Sequence, residues 1–172
     1  PRIFDFRPGY GYEEIPDPYA DVNAPEDDGV YVMDLATGDS RLVLSLAEAV
    51  RFLEACGEEA VTGRKVVINH ITFNPSATRF LFLLRTFPDA PGHGPWATFL
   101  LTADTNGGGL RNHPCYGVAS HYHWRNDREM LFYARPEKDA RLELLVYDDA
   151  TGAKTLVNPD FFLSDGHCSY SP

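Results

Sequence analysis

The sequence predicts an all-β chain, a partial β-propeller of four-stranded antiparallel blades with one inserted helix at about 46–57. Three observations point there. Short β-branched and aromatic runs are separated by turn residues; glycine and proline together make up 27 of 172 residues; and a histidine-bearing segment recurs three times at near-constant spacing. Strand runs with regular turns imply β-sheet, and a tandem unit of about 45–50 residues with four strands per unit is the period of a propeller blade. A sandwich also has short strands, but not that tandem period.

The repeat begins at Asn69-His70-Ile71-Thr72-Phe73-Asn74-Pro75-Ser76, returns at Ser120-His121-Tyr122-His123-Trp124-Arg125-Asn126-Asp127, and returns again at Gly166-His167-Cys168-Ser169-Tyr170-Ser171-Pro172. In each copy an aromatic residue follows the histidine by three positions. The histidines His70, His121 and His167 lie 51 and 46 residues apart. A second apolar run follows in two copies, at 78–85 and 129–135. A third ends in an Asp/Thr/Gly turn, at 100–107 and 144–152, and the same turn occurs earlier at 30–38. Fourth-strand candidates are Arg41-Leu42-Val43-Leu44-Ser45 and Lys154-Thr155-Leu156-Val157.

The expected organisation is a partial blade over 1–45, a helical insertion over 46–65, blades over 66–117 and 118–164, and the first strand of another over 165–172. The chain does not start with Met and stops inside a repeat motif, so it reads as a piece of a longer protein whose remaining blades lie outside it. The 46–58 segment has apolar residues at helical spacing, with Ser45 as N-cap and Gly57 as stop. Residues 7–28 and 86–96 read as Pro/Gly-rich loops on the rim of the channel, where function concentrates.

Charge and cysteine content narrow the partners. Residues 1–40 carry ten acids against Arg2 and Arg7, and the other 132 residues hold fifteen acids against thirteen bases. No basic stripe suits a nucleic-acid duplex. The acidic start reads as a solvated loop, since its acids lack the spacing of a calcium loop. No apolar run reaches the roughly 20 residues of a membrane span. Three scattered cysteines form neither a disulfide framework nor a Cys-x-x-Cys pair. Nucleophile elbow, Walker loop, Gly-x-Gly-x-x-Gly and His-Glu-x-x-His patterns are all absent.

Candidate chemistry rests on the histidines. Equivalent positions on innermost strands point at one axis, so His70, His121 and His167 are expected to converge at one mouth of the channel. There they would suit a borderline divalent metal or proton transfer near neutral pH. A repeated structural histidine that bonds across the blade explains the same pattern. His123 alternates in phase with His121 and shares its face. His113 and His93 read as loop residues. Arg85 and Arg135 close the second strand in two blades, either as structural ion pairs or as clamps for a carboxylated ligand. Tyr10, Tyr12, Tyr19 and Trp96 fall on inserted loops, as packing residues or as platforms for sugar rings.

On Asn69-His70 with Asn74-Pro75-Ser76, Ser120-His121-Tyr122-His123-Trp124 and Asp165-Gly166-His167-Cys168-Ser169-Tyr170-Ser171-Pro172, the chain resembles the oligogalacturonate lyase family of TolB-like propellers over about 66–172. The resemblance implies a seven-bladed propeller that binds Mn²⁺ (or another divalent metal) through several His and a Gln and cleaves oligouronides by β-elimination. By position it implies His121 and His167 as metal ligands and His70 as catalytic base. His123, Arg85 and Arg135 are then candidates for contacting an oligouronide or other acidic glycan. The chain has no glutamine, so that ligand of the family is unmatched, as is a further His. The competing expectation is a noncatalytic TolB-like propeller with structural histidines that binds a protein or glycan.

Overall fold

The computed structural model describes residues 14–88 and 96–170 together with Ile3. The described residues contain ten strands and one α-helix: β1 (Gly29–Met33), β2 (Ser40–Ser45), α1 (Leu46–Ala55), β3 (Val66–Phe73), β4 (Arg79–Thr86), β5 (Thr98–Asp104), β6 (Arg111–Gly117), β7 (Ala119–Trp124), β8 (Glu129–Ala134), β9 (Glu143–Asp148) and β10 (Lys154–Leu156). They form three antiparallel sheets, a β1–β2 hairpin and two four-stranded meanders in the orders β3-β4-β5-β6 and β7-β8-β9-β10. None of these sheets closes on itself. No helix among the described residues is long and apolar enough to cross a membrane.

The chain divides into two compact units, Pro1–Asn69 with Leu84–Ala97, and His70–Leu83 with Thr98–Pro172. In the first, the Ser45 hydroxyl accepts the Glu48 N–H while the Glu48 carboxylate accepts the Ser45 N–H, a complete capping box for α1. At the other end Gly57, at φ 85°, lets its own N–H reach the Glu54 carbonyl and the Glu58 N–H reach that of Leu53. That is the Schellman pattern, which stops a helix at a glycine. Leu46, Ala49 and Leu53 are buried, which gives the helix its inward stripe.

The repeated turn has a common mechanism in the two units. Asp148 Oδ1 accepts the N–H groups of Ala150 and Thr151, and Gly152 at φ 70° returns the chain into β10. In the β1–β2 hairpin, Asp34 Oδ1 likewise accepts from Ala36 and Thr37, with Gly38 at φ 80°. Only a short carboxylate followed by a residue tolerant of positive φ makes this turn cheaply. The core of the unit gathers Leu81, Leu83, Leu100 and Cys115 from one meander with Ala119, Trp124, Met130, Phe132, Ala134, Leu145 and Tyr147 from the other. Each fully buried Leu or Phe among them contributes about 1.5–3 kcal/mol.

Beside this apolar core lies a buried ionic cluster. Asp149 is 3% exposed and receives Arg79 Nε at 2.7 Å, Arg111 Nη1 at 2.5 Å and His113 Nε2 at 3.1 Å. The Arg79 Nε–H is not itself aimed at that oxygen, so this contact is an ion pair rather than a hydrogen bond. Thr102 Oγ1 donates to Asp149 and accepts from Arg79 Nη2 at 2.9 Å, while Arg79 also pairs with Asp104. Here the structure corrects the expectation for His113. It is no loop residue but sits inside β6, 1% exposed. Its neighbour Pro114 lacks a ladder N–H, but β6 is an edge strand, where that loss is tolerated. The Pro114 carbonyl accepts from Tyr147 Oη at 3.3 Å and Lys154 Nζ at 3.0 Å.

Burial pushes the Asp149 carboxyl up, but hydrogen bonds from His113 and Thr102 and the Arg79 charge outweigh it and hold it at about 2. The unfolded chain then takes up this proton first as pH falls. The stabilisation by Asp149 is complete above about pH 5 and is lost from about pH 4 towards 2, an effect of about 2 kcal/mol. Urea denaturation at pH 6 and pH 2.5 should show that loss in the natural chain and not in Asp149→Asn. The variant itself should be about 3–5 kcal/mol less stable at pH 6, since it removes one partner of the buried Arg79–Asp149 pair.

Candidate functional site

The β7 sequence Ala119-Ser120-His121-Tyr122-His123-Trp124 buries its two ends and leaves its middle half-exposed. Its ladder to β8 slips once: Ser120 faces Tyr133 and Tyr122 faces Phe132, so His121 is an extra residue in a β-bulge. His121 has φ 37°, and His70, its counterpart in β3, has φ 54°. Left-handed backbone at a non-glycine residue costs about 1–3 kcal/mol, and bulges re-aim the side chain they carry. The same strained conformation at both histidines is a structural repeat beneath the sequence repeat.

Around His121 a compact polar group assembles. Its Nδ1 lies 2.7 Å from Asp165 Oδ2 and 3.0 Å from Ser120 Oγ. Its ring meets that of His167 at a centroid distance of 4.3 Å and an angle of 67°. The Cys168 thiol, raised by burial and so protonated at neutral pH, rests 3.8 Å from the His121 carbonyl. His123 reaches the same 165–170 segment further along, its ring 6.1 Å from that of Tyr170. His123 Nδ1 donates to the Trp124 carbonyl at 2.7 Å, which leaves Nε2 with its lone pair. The Arg125 guanidinium lies over the Tyr170 ring at 6.0 Å.

Two members of the sequence-derived triplet are seen in ring contact. His121 and His167 meet, whereas the ring contact of His70 is edge-on to Tyr122, at 6.4 Å. Tyr122 separates the two registers: its hydroxyl donates to the His70 carbonyl, lies 3.1 Å from Thr72 Oγ1, and its ring packs on Phe132. Trp124 Nε1 adds a bond to the Thr72 carbonyl at 3.1 Å. Residues 165–170 form no ladder with any described strand. Arg135 follows β8 half-buried, and its Nε is buried without a hydrogen bond. Arg85 lies in β4, in the other compact unit. Trp96 packs on Phe87 at 5.3 Å, as an ordinary loop contact would. His93, Tyr10 and Tyr12 lie outside the described residues.

Asp165 is the member of the site that the histidine pattern did not single out. The available signal was its place two residues before a repeat histidine. In chemical kind the donor set suits a borderline divalent ion: two imidazoles, one carrying a carboxylate on its other nitrogen. Among the described residues, no group of three or more His, Cys, Asp or Glu side chains is arranged to hold a metal ion.

No protein-family model matches the chain, and no curated protein or solved structure is significantly similar to it.

Removing the Tyr122 hydroxyl tests the bond that fixes the backbone of His70. Tyr122→Phe should cost about 1 kcal/mol in thermal or urea unfolding. It should also move the His70 ring signals in a proton–nitrogen spectrum while leaving those of His167 in place.

Proposed function

We propose that the two meanders are successive blades of a TolB-like β-propeller resembling oligogalacturonate lyase, and that His121 and His167 form part of its metal-assisted lyase site. The observation that carries this reading is the 4.3 Å approach of two histidines 46 residues apart, one of them held by Asp165. The matching left-handed backbone of His70 and His121 supports a repeated, functionally strained position. The meander order in both sheets fits blades whose first strand bears the histidine.

In this reading the substrate is an oligouronide. His70 removes the proton alpha to the uronate carboxylate, and the C–O bond at the beta carbon breaks. The product keeps a C=C bond conjugated to that carboxylate, and the leaving sugar oxygen takes up a proton. Mn²⁺ or a similar ion, when bound by His121 and His167, supplies positive charge to offset the carboxylate. His123 offers its Nε2 lone pair to a sugar hydroxyl. Arg135 presents guanidinium N–H donors to a carboxylate.

The second reading, a noncatalytic propeller that binds a protein or glycan, is favoured by one contact: the His70 ring packs on the edge of Tyr122 as a structural residue would. Two measurements on the purified protein separate them. Elemental analysis should find a divalent metal, and oligogalacturonate should yield product absorbing as a conjugated unsaturated acid; absence of both overturns the lyase reading. His121→Ala should abolish turnover with a nearly unchanged melting curve. Under the structural reading it instead costs about 1–3 kcal/mol of stability and removes no chemistry.

A further inference from the structure

We infer that the free edge of β1, with the exposed apolar side chains beside it, is a docking strand for a basic, extended segment of a separate protein, which adds to the β1–β2 hairpin by strand pairing. The hairpin is rooted at one end and bare at the other. Val30 and Leu44 are paired across it and buried, whereas every residue from Met33 to Arg41 is exposed. Tyr31 and Met33, two residues apart on β1, share one face and are 51% and 56% exposed; Leu35 in the turn beyond is 92% exposed. The backbone edge is open as well. The Asp34 N–H donates to the Asp39 carbonyl, so those two residues form a hydrogen-bonded pair. Alternation along the antiparallel ladder then turns the N–H and C=O of Met33 and Tyr31 away from β2. Among the described residues no other strand pairs with β1. Such a row of unpaired groups is a template for another strand: its main chain supplies affinity, and the alternating side chains supply specificity.

Charge chooses the occupant. Asp27 and Asp28 lie before β1, Asp34 and Asp39 lie beyond it, and residues 14–40 hold eight acids and no Lys or Arg. Two of the eight are spent elsewhere, Asp17 on Lys65 and Glu26 on Arg51, but the four that bracket β1 make no ion pair among the described residues. A second copy of this chain is thereby disfavoured. A two-fold antiparallel pairing centred on Tyr31 sets Asp34 opposite Asp28, and like charges directly opposite are destabilising. A strand that alternates Lys or Arg with apolar residues instead brings cations to these acids while its apolar side chains cover Tyr31 and Met33. This surface does not depend on the lyase reading.

The test takes the purified chain and a fluorescent peptide, about as long as β1, that alternates lysine with valine. The peptide should bind, more weakly at high salt, and should slow hydrogen exchange at the Tyr31 and Met33 amides. A peptide alternating glutamate with valine should not bind. Met33→Pro deletes one outward N–H without touching the ladder to β2, so the chain should melt as before and lose the peptide. Met33→Lys, at an exposed position, should weaken binding about tenfold even if the proline variant fails to fold. Equal affinity for the two peptides, no binding, or binding that leaves those two amides unchanged overturns the proposal. So does a chain that dimerises through this edge, or a monomer whose Tyr31 and Met33 amides already exchange slowly without peptide, because the protein then covers the edge itself.

Discussion

A single carboxylate, that of Asp149, ties together the second compact unit. It lies in the turn between β9 and β10, yet it is almost wholly buried and contacted by Arg79 from β4, Arg111 and His113 from β6 and Thr102 from β5. An unpaired charge at such a place would be strongly destabilising, so every group around it must be present together. The cluster thus links residues of β4, β5 and β6 to the turn after β9. Leu and Phe tolerate small shifts; a carboxylate gripped by four side chains does not.

From that seating the rest follows. With the meanders in place, Trp124 reaches the Thr72 carbonyl and Tyr122 reaches that of His70, so the first strands of the two sheets are bound edge to edge by side-chain bonds. The bulge at His121 then faces the segment that carries Asp165 and His167. The candidate site is thus built from irregular backbone, a bulge and a turn-rich segment, supported by a regular core. Strained or irregular residues persist only where such a frame over-determines them.

Much of the secondary structure was legible because it is written in local chemistry. The Asp/Thr/Gly turns, the capping box at Ser45 and Glu48, and the stop at Gly57 act over three to six residues, and the structure has each where the sequence expects it. The apolar runs became strands within a residue or two of their expected limits. Where inference failed, the controlling contact was distant. His113 read as a loop residue, but edge-strand placement and the Asp149 carboxylate made it a buried strand residue. Asp149 itself had only one local mark, its position beside the turn aspartate Asp148, and nothing nearby announces that it would be buried.

The sequence by itself determined that His70 and His121 take equivalent places in the first strands of the two meanders, because strand period and turn length are set residue by residue along the chain, whereas His167 lies in a segment that forms no ladder with any described strand. Which of them meet was decided only by the tertiary structure. Tyr122 claims the backbone and ring of His70, while Asp165 and the bulge at β7 draw His121 towards His167. Register is a one-dimensional property of the chain, but the direction of a side chain depends on φ at a single bulged residue and on partners tens of residues away.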